Sequence, residues 1–346
     1  MANVIFLLHG VGEHTQGWEQ SVVAQMRAFC DSSSQRGEGD FDRRFKCVGI
    51  NYSALFKDLL TEWATRRDNI DDLASQVGAE LVERLLGWIA GSDEVEKDFL
   101  WTHAFDVVTY RLLPTVRDAV KVRVGLQLFE GIQGLDENAN WSIIAHSFGT
   151  AVAHDTLHAW FEQPLPDGRG TLGQSRAPRL VQMVANVSRL LQTSPDAFDS
   201  TVRPGKACDF YHSAHHPFDP VTTIKPFLPA NWPGPPSPEK YRLAVLEHDY
   251  IQQPNIHDLA QYLRHPDVVI PLFRCLAFDT YITKDKEAEY REKFQLHGDL
   301  TDPVLIDLRK RLEKAGVGLS DEWAALLVAW NRIREIRALL EGDNDD

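Results

Sequence analysis

In the stretch "WSIIAHSFGTAVAHD", from Trp141 to Asp155, a serine stands between an apolar run and a run of small residues. A nucleophilic serine needs an exposed Oγ, a base within reach and donors for an oxyanion. A sharp strand-to-helix turn lifts the side chain above the sheet edge, and it crowds the residues two before and two after. Here those are Ala145 and Gly149, both small. Turns of this kind usually follow G-x-S-x-G, and Ala145 departs from that pattern by one methyl. The competing reading of Ser147 is a serine that caps a buried helix.

An acid and a base are then expected downstream, in the order Ser, Asp, His. "YHSAHHPFDPV" follows the candidate strand "ACDFYHS" and carries Asp219 between Pro217 and Pro220, which would stiffen the loop. Asp219 would orient an imidazole and stabilise its charged form. Its alternative role is to cap "PVTTIKPF". Asp209, read as lying inside the strand, and Asp196 and Asp199, in the loop before it, are the other candidates. Among thirteen histidines, position does the filtering. His257 opens a helix-like segment in which Ile256, Leu259 and Leu263 pack, so its ring can point back toward the serine. His248 lies at a strand end, and His265 is expected at the surface. A neutral imidazole suits a base near pH 7. His146 and His9 flank the serine but are expected to point elsewhere. His154 and His158 share a helix face, where a metal pair is the weaker reading; no metal is expected.

The elements that must position these residues follow from periodicity. Asn3 to Leu8 reads as a buried strand, Trp18 to Cys30 as a helix and "FKCVGINYS" as the next strand, which is the opening of a parallel sheet. From Ala54 the spacing turns helical, with no strand until Trp141. The stretch Ala54 to Val116 is too long for one crossover and reads as a cap or lid, with Trp63, Trp88 and Trp101 as candidate lining. Val116 to Leu135 reads as the helix packed under the next strand. "FGTAVAHDTLHAWF" is a helix, and "RLVQMVANVS", "ACDFYHS" and "YRLAVLEHD" are further strands. "PFLPANWPGPPSPEK" is a proline-rich loop, and Pro303 to Leu340 is helical by periodicity. The expected organisation is a core of residues 1–53 and 117–265, a cap of 54–116, and a helical extension of 266–346.

At 346 residues, 43% hydrophobic and 25% charged, the composition is that of a soluble globular protein. A formal net charge of −14, with no basic block, argues against nucleic acid as a partner. The four cysteines are far apart and form neither metal-ligand spacing nor a disulfide framework. "VIFLL" lacks the flanks of a signal segment, and no apolar run has the length of a membrane span. A cytoplasmic protein with reduced thiols is expected.

Together these segments resemble the α/β-hydrolase superfamily, in its serine esterase and lipase branch, over roughly Val4 to Leu263. "LLHGVGEH", which follows the first strand, resembles the oxyanion loop of that superfamily. His9, Gly10 and Gly12 would let the backbone turn, and the N–H groups of Val11 and Phe148 would be the two donors. "AHSFGTAVAHDTL", "HPFDPVTTIKPF" and "HDLAQYL" are similar to the segments around nucleophile, acid and histidine in intracellular phospholipase A and related lipase-like proteins. The resemblance implies a mostly parallel sheet flanked by helices, a Ser147–Asp219–His257 triad, hydrolysis of small-molecule or lipid-like carboxylic esters, and no cofactor. A thioesterase, amidase or acyltransferase would use the same triad. A haloalkane dehalogenase would need an aspartate in place of Ser147. A non-catalytic binding protein on the same fold is the rival from another class.

Overall fold

The structure is a computed structural model. It describes residues 3–35, 37–58, 105–136, 139–162, 177–191, 202–216, 237–246, 257–278 and 281–298, with the single positions 219, 222, 227 and 232. Most of the expected cap, including Trp63, Trp88 and Trp101, and the expected helices of Pro303 to Leu340 lie outside the described residues, as do Pro217, Pro220, Asp196, Asp199 and His248.

Six strands form one sheet: β1 (Asn3–Leu8), β2 (Phe45–Ile50), β3 (Trp141–His146), β4 (Leu180–Val184), β5 (Phe210–His215) and β6 (Tyr241–Val245). Their order is 2-1-3-4-5-6, and every pairing is parallel. Parallel strands need crossovers, and the crossovers place helices on both faces. That explains why β1, β3 and β4 are largely apolar: β4 is buried at all five positions. The fold is therefore α/β.

The helices are α1 (Gln20–Ser33), α2 (Asp40–Arg44), α3 (Phe105–Leu112), α4 (Pro114–Gln133), α5 (Phe148–Glu162), α6 (Ser188–Leu191), α7 (Leu259–Arg264), α8 (Pro266–Leu276) and α9 (Lys284–Gly298). On one sheet face, Ile5, Leu7, Ile144 and Leu180 pack with Val22, Met26 and Phe29 of α1 and with Val269 and Phe273 of α8. On the other, Phe6 meets Trp141 edge-on at 5.9 Å. A Cβ on Gly131 of α4 would lie 2.5 Å from the Phe6 ring, so this glycine sets how closely α4 approaches the sheet.

The described residues form two compact units: one of 3–10, 15–50 and those from 124 onward, the other of 11–14, 51–58 and 105–123. The units differ from the expected division at residues 11–14, 51–53 and 117–123, which fall in the second, and at the described residues from 266 onward, which fall in the first. Residues 266–276 were assigned to an extension, but α8 belongs to the main apolar core, because its Val268, Val269, Ile270, Leu272 and Phe273 need a sheet to cover them. Residues 11–14 were assigned with β1, but they are bonded within the second unit. There the Gly12 N–H donates to Asp106 Oδ2 at 3.2 Å, the His14 N–H to Ser53 Oγ at 3.2 Å, and Asn51 Nδ2 to the His14 carbonyl at 2.8 Å. Among the described residues, no helix is long and apolar enough to cross a membrane.

Candidate active site

Strand order decides where a site can form. The chain leaves β1 toward β2 on one side, while β3 lies on β1's other side, so the sheet's direction of growth reverses between β1 and β3. A crevice opens at the carboxyl ends of strands at such a switch point. His9 and Gly10 follow β1 there, and Ser147 follows β3, with Leu8 and Ala145 in register just below them.

Ser147 links β3 directly to α5, and its backbone has φ of 52°, in the left-handed region. A non-glycine residue in that region costs roughly 1–3 kcal/mol and persists only when its surroundings enforce it. The surroundings here are specific. The Ser147 N–H donates to the Val184 carbonyl at 3.0 Å. The Ser147 carbonyl accepts from the Thr150 N–H at 2.8 Å and from Thr150 Oγ1 at 2.6 Å. The turn also presses α5 against β1: a Cβ on Gly149 would lie 2.3 Å from the His9 carbonyl oxygen and 2.9 Å from that of Leu8. Gly149 is therefore required by close backbone approach. Ala145 is different. It is a fully buried strand residue whose methyl the core accommodates, so the missing glycine is no obstacle to the turn.

The structure brings Ser147, His257 and Asp219 together. His257 Nε2 lies 2.7 Å from Ser147 Oγ, and His257 Nδ1 lies 2.9 Å from Asp219 Oδ2. An ionised carboxylate only accepts, so Nδ1 carries the proton and Nε2 is left as the acceptor for the serine hydroxyl. Asp219 is completely buried, His257 is 8% exposed and Ser147 is 3% exposed. An exposed Oγ is expected of a nucleophile, whereas the structure places Ser147 as a buried residue.

Each partner is held from behind. The Asp219 N–H donates to the His216 carbonyl at 2.9 Å, and Thr222 Oγ1 donates to the Asp219 carbonyl at 2.8 Å. The Tyr262 hydroxyl donates to Asp219 Oδ2 at 2.8 Å and accepts from the His216 N–H at 3.0 Å. His146 Nε2 lies 2.6 Å from the His257 carbonyl oxygen, and the two rings are 4.8 Å apart. Tyr262 and His146 were not anticipated in these roles. His146 was expected to point elsewhere, yet it meets the backbone carbonyl of His257. Tyr262 falls five residues after His257, more than one helical turn further on, and no sequence signal ties it to Asp219.

The other candidates are placed as follows. His9 is buried, with Nδ1 2.7 Å from the Gly10 carbonyl oxygen and its ring edge-on to Trp18 at 5.3 Å. Gly10 adjoins the serine: a Cβ there would lie 3.2 Å from Ser147 Cβ. Phe148 is the first residue of α5, so its amide has no carbonyl one turn back within the helix. Val11 belongs to the second unit, where its carbonyl lies 3.3 Å from His14 Nε2. Asp209 precedes β5 instead of lying within it, and it is exposed. His265 was expected at the surface but is buried. It caps α8, with Nδ1 accepting from the Asp267 N–H at 3.2 Å, because the apolar helix it opens is itself part of the core. The His154 and His158 rings lie parallel at 6.3 Å. Among the described residues, no group of three or more His, Cys, Asp or Glu could hold a metal ion.

Such a site can transfer a proton from a hydroxyl to an imidazole and stabilise the imidazolium that results. No protein-family model, curated protein or solved structure matches the chain.

Proposed function

We propose that the chain is a serine hydrolase of the α/β-hydrolase type that cleaves carboxylic esters. The observation that carries this reading is the relay from Ser147 Oγ through His257 to Asp219, at 2.7 and 2.9 Å, built on a serine held at positive φ. A serine that only caps a helix has no need of an imidazole backed by a buried carboxylate.

His257 Nε2 takes the hydroxyl proton as Ser147 Oγ attacks the ester carbonyl carbon. The carbonyl π electrons move onto oxygen, and the amide of Phe148 is assigned to that oxyanion. The amino end of α5 adds its partial positive charge. Asp219 holds the imidazolium, which returns its proton to the departing alkoxide. Water, deprotonated by the same nitrogen, then releases the acid and frees Oγ. Burial of the relay strengthens each of these electrostatic contacts. The four cysteines carry no disulfide, which suits a reducing compartment such as the cytoplasm.

A fluorophosphonate probe tests the reading: the chain should be labelled, and Ser147→Ala should abolish labelling. A p-nitrophenyl ester series of increasing length then reports the acyl preference. If the wild-type chain shows neither labelling nor ester turnover, the proposal fails and a non-catalytic binding protein is favoured.

A further inference from the structure

The opposite end of the sheet holds a second concave region, independent of the serine. Phe210 and Tyr241 are the first residues of β5 and β6, so a site at their level lies at the amino ends of the strands, away from Ser147. A cavity of about 570 Å³ opens there, a size suited to a small organic ligand. Three guanidiniums line it, those of Arg179, Arg242 and Arg274, against the single carboxylate of Glu239. This is a local excess of positive charge in a chain of net charge −14.

The arginines are not equally committed. Arg274 donates to the Ile282 carbonyl and pairs with Glu287 at 2.8 Å. Among the described residues, Arg242 comes no nearer a carboxylate than Asp267, at 3.9 Å. Arg179 donates through Nε to the Cys275 carbonyl at 2.6 Å and stands over the Phe210 ring at 5.5 Å; it pairs with no carboxylate among the described residues. Its Nε is tied and its plane held against the ring, so less freedom is lost when its terminal nitrogens take up an oxyanion.

The wall of the cavity adds a second observation. Register places Gln182, His212 and Arg242 side by side across β4, β5 and β6, a polar row on the sheet face that elsewhere packs Leu7 and Ile144. His212 Nδ1 and Gln182 Oε1 are buried without a hydrogen-bond partner among the described residues, and so is the Tyr241 hydroxyl. An ordinary structural wall avoids that cost with apolar residues. His212 and Tyr241 both line the cavity, as do the rings of Phe210 and Phe278.

We propose that this cavity binds a small phosphate monoester, its oxyanion held by Arg179 and Arg242 and its planar body resting against Phe210 and Phe278. The titration of inorganic phosphate and phenyl phosphate into the full chain, followed by calorimetry, tests it. Expected are saturable binding of both, tighter for phenyl phosphate, and weakening by about ten-fold or more in Arg242→Glu, a substitution at a half-exposed position. The milder Arg242→Gln should weaken binding in the same direction, and Ser147→Ala should leave it unchanged. Three results would overturn the proposal: no saturation by either probe, affinity indifferent to both Arg242 variants, or a preference for benzoate over phenyl phosphate. None of these bears on the serine reading, which uses neither arginine.

Discussion

Tyr262 and His257 share one oxygen of Asp219: the tyrosine hydroxyl at 2.8 Å and the imidazole Nδ1 at 2.9 Å both address Oδ2. Oδ1 has no partner among the described residues. The phenol therefore fixes the direction of the carboxylate that addresses the imidazole. In Tyr262→Phe that carboxylate keeps a single side-chain donor, and kcat for ester turnover should fall with KM little changed. The loss of a buried hydrogen bond to a charged group should also cost about 1.5–3 kcal/mol of stability. A purely structural tyrosine would lower Tm and leave kcat in place, so measuring both separates the roles.

Gly149 and Ala145 flank the serine symmetrically in sequence but differ in what surrounds them. Gly149→Ala would drive a methyl into the His9 and Leu8 carbonyls, neither of which can yield without moving β1. Destabilisation of about 3 kcal/mol, with loss of fluorophosphonate labelling, is expected. Ala145→Gly should cost only about 1–2 kcal/mol, from added backbone freedom and a lost buried methyl, and should keep the serine reactive. Equal effects in the two variants, read by chemical denaturation, would contradict this account of the turn.

That contrast also shows what a sequence can and cannot disclose. The strands around Ser147 were legible because parallel strands buried on both faces leave largely apolar runs, and β1, β3 and β4 stand where such runs predict them, whereas β6 is a largely unburied edge strand. Ser147, Asp219 and His257 were legible by their order along the chain, and they meet at hydrogen-bonding distance. His146 and Tyr262 were not, because their roles depend on a backbone carbonyl and a carboxylate more than forty residues away, which no local spacing encodes. The attachment of Gly12 to Asp106 was hidden for the same reason: a glycine's N–H leaves no mark on the sequence.

Asp106 makes stability fall toward alkaline pH. Burial raises its carboxyl to about 8, against which the Gly12 N–H works in the opposite direction. The folded state then holds a proton that the unfolded chain releases near pH 4. Stability from this group is full below pH 4 and is lost as pH rises through about 8. Asp106→Asn keeps an acceptor for Gly12 and has no proton to lose. Its Tm should therefore gain on the wild type steadily between pH 5 and about pH 8 and level off by pH 9. A Tm difference that stays constant across that range would show that Asp106 is ionised in the folded chain.

His212 and His265 act at the acid end. Burial holds both imidazoles down at about 4; Arg242 adds to the effect at His212, and at His265 Asp267 partly opposes it. Between about pH 6.5 and pH 4 the unfolded chain binds protons at these positions that the folded chain refuses. Stability is thus fully present above pH 6.5 and is lost as pH falls toward 4, where the loss levels off. His212→Gln retains a neutral polar side chain in the row beside Gln182 and removes one titration. The decline in Tm between pH 6.5 and pH 4 should be shallower in this variant, while above pH 7 the pH dependence of Tm should match that of the wild type. Thermal melts at half-unit intervals would read this directly, and an unchanged acid slope would mean that the folded protein accepts the proton on His212.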